Sequence, residues 1–341
     1  MANPLQVRRS VEAMRNPFEG VKLPPDVEDF ISSLLNKIRK VGGTTRKDRE
    51  LRRLALYRDY LKVYEEFLRT VPRIEELHPF YRTALEIIAG DLDRVKMCLG
   101  ALKRGVTMAR KAIIEYMTQI RANEEDQANL LMRRGFGRAS SIMRARAECV
   151  SFLRRVFSEA RKLKSVDPSL PTIIVAGPPN VGKSTLVSAI SSAKPEVASY
   201  PFTTKEIHVG HIKLPDVTVQ VIDTPGILDR PMSERNAIEK KAINAIINLQ
   251  GIIVFLFDVS KGSIYPPKEQ IDLFEEVSSL KRTVPVLNKV DDVDEAVKSE
   301  VANYLKSKGL KWFEISAEKR QGVDDLLGFL LGEVRNEVLG K

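Results

Sequence analysis

Nine residues constrain this chain more than any others: Gly177-Pro178-Pro179-Asn180-Val181-Gly182-Lys183-Ser184-Thr185. They match the phosphate-binding pattern G-x-x-x-x-G-K-S/T at every fixed position. The apolar run Thr172-Ile173-Ile174-Val175-Ala176 precedes them and reads as a short buried strand. Leu186-Val187-Ser188-Ala189-Ile190 follows and reads as the start of a helix. A chance Gly-rich turn would lack that strand–loop–helix setting. Glycine lets the backbone curl so that successive N–H groups face phosphate oxygens. The helix N-terminus adds partial positive charge. Lys183 is then expected to reach the β and γ phosphates, and the Ser184 hydroxyl to ligate Mg²⁺.

From Thr172 onward strands and helices alternate. Apolar runs at 173–176, 217–222, 252–257 and 284–287 read as buried parallel strands. Phe313–Ile315 reads as an edge strand, and Glu206–Lys213 as an antiparallel partner of 217–222. Helices fit at about 183–191, 233–249, 267–280, 293–308 and 323–339. The expected fold is an α/β phosphate-loop domain with a doubly wound, mostly parallel sheet. Short motifs fall at its strand ends. Asp223-Thr224-Pro225-Gly226 supplies an Asp for Mg²⁺ and a Gly226 N–H that senses the γ-phosphate. Asn288-Lys289-Val290-Asp291 supplies a carboxylate that accepts from the guanine N1–H and N2–H₂. Adenine has no donors there, so the pocket rejects it. The Lys289 stem lies over the base, and Ser316-Ala317 offers a backbone N–H to guanine O6. In Tyr200-Pro201-Phe202-Thr203-Thr204-Lys205, Thr204 completes the Mg²⁺ shell when GTP is present. Each string is weak alone, but together and in order they specify GTP and GDP. A phosphate-loop kinase or ATPase is the reading they displace.

The chain has 341 residues, enough for two domains, and a net charge of +10. Residues 1–170 carry 34 Lys and Arg against 22 Asp and Glu, whereas residues 171–341 carry 21 against 23. The half without the phosphate loop therefore holds the positive excess, which suits a polyanionic partner, RNA first. A solvated, charge-rich helical surface is the plainer alternative. The pattern of that half is helical, at about 25–40, 46–70, 82–89, 91–122 and 124–163. The last helix is expected to break at Arg133-Arg134-Gly135-Phe136-Gly137-Arg138, where two glycines weaken it. An all-α bundle follows over 1–165, with the GTPase domain over 166–341 and a Pro-rich linker at 165–171. Arg133–Arg138, with Phe136 between, is the best single candidate for an RNA contact, or else a loop packed on the other domain. His78 sits in a turn and reads as structural, and His208 and His211 fall in a strand. Cys98 and Cys149 read as buried filler rather than a disulfide or a nucleophile. No apolar run approaches the ~20 residues of a membrane span, and Met1–Ser10 lacks the shape of a signal peptide. A cytoplasmic monomer without membrane contact is expected.

The ordered motifs resemble those of the Obg-related GTPases. Tyr200–Lys205, Ile222–Pro231 and Glu234-Arg235-Asn236-Ala237-Ile238-Glu239 narrow the resemblance to the nucleolar GTP-binding protein (NOG) family. So does Leu77-His78-Pro79-Phe80-Tyr81 within a helical domain, followed by Gly137-Arg138. The resemblance covers nearly the whole chain, in a short, archaeal-like form. It implies a GTPase acting in assembly of the large ribosomal subunit, its helical domain docked on ribosomal RNA. A signalling or stress GTPase whose bundle binds a protein is the rival reading. Many GTPases place Gln just after Asp-x-x-Gly, whereas this chain has Ile227. The resemblance thus implies slow hydrolysis, with Lys183, Thr204, Gly226 and Asn180 as the groups nearest the chemistry. Asn180 sits where some related GTPases hold a potassium ion.

Overall fold

In the computed structural model the described residues are 16–163, 166–199, 206–215, 217–224, 226 and 228–339. They fall into two compact units. One comprises Pro17–Glu76 and Ile88–Arg161; the other comprises Asn16, Leu77–Ile87 and the described residues from Lys162 onward. Leu77–Ile87 lies within the stretch expected as helical bundle, but it clusters with the sheet unit.

The first unit is all helix: α1 (Val27–Ile38), α2 (Arg46–Tyr60), α3 (Lys62–Thr70), α5 (Leu92–Ala122), α6 (Ala128–Arg144) and α7 (Ala147–Ala160). Thr45 caps α2 by accepting from the Asp48 N–H at 3.0 Å, and Asp91 caps α5 by accepting from Asp93 N–H at 2.8 Å. Aromatic side chains fill the centre. Phe30 packs edge-on to Tyr64 at 5.1 Å, and Phe67 edge-on to Phe157 at 5.7 Å. The expected helix over 46–70 is two helices that meet at Leu61.

The glycines at 135 and 137 do not break α6. It runs through them and ends at Arg144, and the turn falls at Ala145-Arg146. Gly135 is there for contact: a Cβ on it would lie 2.8 Å from Tyr116 Cβ. Phe136 is half-buried and packs edge-on to Tyr57 at 5.1 Å. Arg133, Arg134 and Arg138 remain exposed. Cys98 and Cys149 are joined by a disulfide, contrary to expectation. Two cysteines 51 positions apart give no local signal of pairing.

The second unit carries a seven-stranded sheet in the order β2-β3-β4-β1-β5-β6-β7. The strands are β1 (Thr172–Ala176), β2 (Glu196–Ser199), β3 (Glu206–Lys213), β4 (Thr218–Asp223), β5 (Gly251–Asp258), β6 (Thr283–Asn288) and β7 (Phe313–Ile315). β3 runs antiparallel to β2 and β4, and the remaining pairings are parallel. β7 lies at an edge, as its length suggested; β2, the other edge, was not foreseen. β1 and β5 are buried along their whole length, which is why they read as unbroken apolar runs. The helices of this unit are α4 (Pro79–Ala89), α8 (Lys183–Ile190), α9 (Ala237–Ile247), α10 (Pro267–Leu280), α11 (Glu295–Ser307) and α12 (Val323–Leu339). α4 is tied to α9 by a Glu86–Lys241 ion pair at 2.6 Å. His78 has a structural part, its Nδ1 accepting from the Phe80 N–H at 3.2 Å, and burial pushes its pKa down.

Candidate nucleotide-binding site

The site forms where parallel strands end and the chain turns into loops. β1 runs into the loop 177–182, and α8 begins at Lys183. Gly177, Asn180 and Gly182 take φ values of +134°, +64° and +96°, which turn the loop back on itself. Gly182 has two reasons to be glycine: its φ, and the Asn288 Nδ2 that would lie 2.4 Å from a Cβ. Lys183 is buried, and its Nζ donates to Gly177 O at 2.9 Å and Pro178 O at 2.7 Å. The ammonium thus lies across the mouth of the loop. Thr185 faces the base side, as described below.

β4 delivers Asp223, which is fully buried. Its Oδ2 accepts from the Ser184 hydroxyl. Its Oδ1 is buried with no hydrogen-bond partner. A buried carboxylate oxygen left unmatched is costly unless a cation or water completes it. Ser184 and Asp223 therefore suit a hard cation held by oxygen ligands. His208, opposite Asp223 in the β3–β4 register, brings Nδ1 to 3.6 Å from Asp223 Oδ2. No local pattern announces this neighbour, which depends on strand register. Among the described residues no cluster of three His, Cys, Asp or Glu offers another metal site. Thr204 and Ile227 lie outside the described residues.

The segment after Asp223 is held by its own polar groups. The Thr224 hydroxyl donates to Val175 O at 2.8 Å, and the Gly177 N–H donates to Leu228 O at 3.1 Å. The Gly226 N–H donates to Asp229 Oδ2 at 2.7 Å. Arg235, buried, donates to Gly226 O at 2.9 Å, Arg230 O at 3.0 Å and Asp229 Oδ1 at 3.1 Å. Asn236 and Glu239 form a reciprocal capping box that starts α9. Arg235 was legible only as part of a family-like string. Its partners are mostly backbone carbonyls, which leave no trace in residue types.

On the other side lies a cavity of about 350 Å³ lined by Thr185, Lys289, Asp291, Ser316 and Ala317 among others. Asn288 is buried, donates to Val181 O at 2.8 Å and accepts from the Ala317 N–H at 3.0 Å. It thus staples the phosphate loop to both base-side loops. Of the two Ser316-Ala317 N–H groups, one of which was expected to meet guanine O6, that of Ser316 donates to Gln321 O at 3.0 Å and that of Ala317 to Asn288 Oδ1 at 3.0 Å. Lys289 adopts φ +66°, and its Nζ pairs with Asp258 Oδ2 at 2.6 Å. Asp291 is held below the usual carboxylate range by the Ser316 hydroxyl and then by Lys319, whose Nζ lies 3.2 Å away. A second cavity of about 740 Å³ lies on the Pro178–Pro179 and Gly226 side, and Glu234, Glu269 and Asp272 also line it.

Sheet order, phosphate loop and strand-end motifs define a phosphate-loop GTPase domain. Two family models match: "50S ribosome-binding GTPase" over residues 172–289 and "NOG1 N-terminal helical domain" over residues 18–167. The chain belongs to the nucleolar GTP-binding protein family. It is similar to nucleolar GTP-binding protein 1 of Drosophila melanogaster, at 31% identity over 288 residues, covering 81% of this chain and 44% of that protein. It is also similar to an uncharacterised protein of Methanocaldococcus jannaschii, at 39% identity over 227 residues, covering 66% of this chain and 63% of that one. A crystal structure described as nucleolar GTP-binding protein 1 of Plasmodium falciparum aligns over 52% of this chain and 92% of that one, at 32% identity and a TM-score of 0.46. The chain thus spans less than half the length of the Drosophila relative. No described helix is long and apolar enough to cross a membrane.

Proposed function

We propose that this protein is a guanine-nucleotide switch in large ribosomal subunit assembly. It binds GTP or GDP with Mg²⁺, hydrolyses GTP slowly, and in its GTP form attaches through its basic helical unit to ribosomal RNA or precursor particles. One observation supports the nucleotide part best: Asn288 ties the 177–182 loop to the Asp291 and Ser316-Ala317 loops in a single bonded set. Phosphate grip and base choice are then parts of one site. The Asp291 carboxylate pairs with the two guanine donors, and an adenine would leave it unmatched. Ser184 and Asp223, with Thr204, would hold Mg²⁺, which neutralises charge on the β and γ oxygens when bound. Lys183 adds its own positive charge there. With Ile227 after Gly226, the chain offers no polar side chain at that position to align water, so turnover is slow and a partner or another group supplies the alignment. Asn180 is proposed to hold potassium beside the phosphates; equal rates in sodium and potassium buffers would remove that part.

The ribosomal part draws support from the names of the relatives and from the excess of Lys and Arg in residues 1–170. The test is co-sedimentation with large-subunit particles in GDP and in a non-hydrolysable GTP analogue, across a salt series. Stronger, salt-sensitive binding in the GTP form is expected, because phosphate contacts release counterions. Equal binding in both nucleotides would refute the switch. A salt-insensitive complex with a protein would favour the signalling reading instead.

A further inference from the structure

The Gly226 N–H is the donor that a γ-phosphate claims under the function proposed above, on which this inference rests. Here that N–H is given to Asp229 Oδ2 at 2.7 Å. The other oxygen of the same carboxylate accepts from Arg235 Nη2 at 3.1 Å, and Arg235 Nη1 donates to Gly226 O at 2.9 Å. The Gly226 peptide is therefore gripped at both ends, its N–H by a carboxylate and its C=O by a guanidinium. The guanidinium that completes the grip has no exposed side-chain surface, and its Nε and Nη2 also donate to Arg230 O, at 3.3 and 3.0 Å. The grip lies against the phosphate loop, because the Gly177 N–H donates to Leu228 O at 3.1 Å. Pro178, Pro179, Gly226 and Asp229 line one cavity together.

A carboxylate oxygen and a phosphate oxygen are the same kind of acceptor, and one N–H gives its full strength to only one of them. They are also both anions, which repel at close range. We propose that Asp229 is a built-in competitor for the γ-phosphate, and that it sets the preference between GTP and GDP. GDP binds with the Gly226–Asp229–Arg235 grip intact. GTP must displace the Asp229 carboxylate before its γ-phosphate can take the Gly226 N–H. Glu234, Glu269 and Asp272 line the same cavity, so a displaced carboxylate meets acidic neighbours and the grip favours closure. Arg235 is the positioning residue: it holds Asp229 on the Gly226 peptide and touches no nucleotide itself.

Asp229→Asn tests this, since the amide oxygen still accepts from Arg235 while the charge is gone. Fluorescent GDP and a fluorescent non-hydrolysable GTP analogue are titrated into the full chain. Charge-assisted bonds are about twice as strong as neutral ones, so affinity for the GTP analogue should rise by about tenfold with GDP affinity unchanged. An unchanged ratio, with GDP still bound at wild-type affinity, overturns the inference and leaves the GTP reading standing. Absence of guanine-nucleotide binding by the wild type takes both down. Should the variant lose GDP binding through misfolding, hydrogen exchange on the wild type decides. Faster exchange over 228–235 with the GTP analogue than with GDP supports release of the grip, and equal or slower exchange overturns it.

Discussion

Asp291, the proposed acceptor for guanine, shows how neighbours set the response of a carboxylate to pH. The Ser316 hydroxyl and then Lys319 stabilise its charged form, so its pKa lies below the ordinary value of about 3.9. The sign follows from linkage. A lowered carboxyl pKa means that the ionised form is complete above the ordinary range and is lost only as pH falls through the lowered value. The ratio of GDP to inosine diphosphate affinity, in which the titration of the terminal phosphate cancels, should therefore stay flat from pH 8 down to about 5, as read by titrations at fixed ionic strength. A decline with a midpoint near pH 6 would assign base recognition to some other group. Asp291 itself was legible from its motif, because guanine demands a paired acceptor at a strand end. Ser316 and Lys319 as its supports were less so, since they come from a loop after β7, whose approach depends on β6–β7 pairing. Asp229 and Arg235 were legible as residues but not as a pair around the Gly226 peptide.

Helix α6 shows where propensity misleads. Two glycines in three residues suggest a break, because glycine is about 1 kcal/mol worse than alanine in a helix. The helix continues, since Gly135 lets Tyr116 of α5 approach its backbone. A tertiary contact outweighs the local preference, and no single-residue rule reveals it. The two glycines thus make opposite predictions. For Gly135→Ala, overpacking against Tyr116 costs about 1–3 kcal/mol, against about 1 kcal/mol regained in propensity, for a net loss of up to about 2 kcal/mol. A Cβ on Gly137 meets nothing within 4 Å, so Gly137→Ala should gain roughly 0.5–1 kcal/mol. Denaturant unfolding of the two variants reads both signs. Stabilisation by both would mean that Tyr116 yields at little cost. The strands of the sheet were far more legible, because β1 and β5 are buried on both faces and their apolar runs leave no polar alternative.

At the scale of the molecule, the two units carry different fasteners, and each should answer to its own reagent. The Cys98–Cys149 bond joins α5 to α7, both in the helical unit, and it spans 51 positions. A loop of that size should stabilise its unit by about 4 kcal/mol, chiefly by restricting the unfolded chain. For a unit of this size that corresponds to a melting shift on the order of 10 °C. Every described residue of the candidate nucleotide site belongs to the sheet unit. Guanine nucleotide at about 100 times its dissociation constant should stabilise that unit by about 2.7 kcal/mol. Calorimetry of the intact chain should then resolve two transitions. A reductant should lower one, and GDP should raise the other. If both reagents move a single transition together, the chain unfolds as one cooperative body, and what nucleotide does at the phosphate loop is felt directly by the basic helices. If they move separate transitions, the helical unit gains no stability from nucleotide. Any effect of GTP on RNA attachment then has to start from local change at the nucleotide site, and not from global stiffening of the chain.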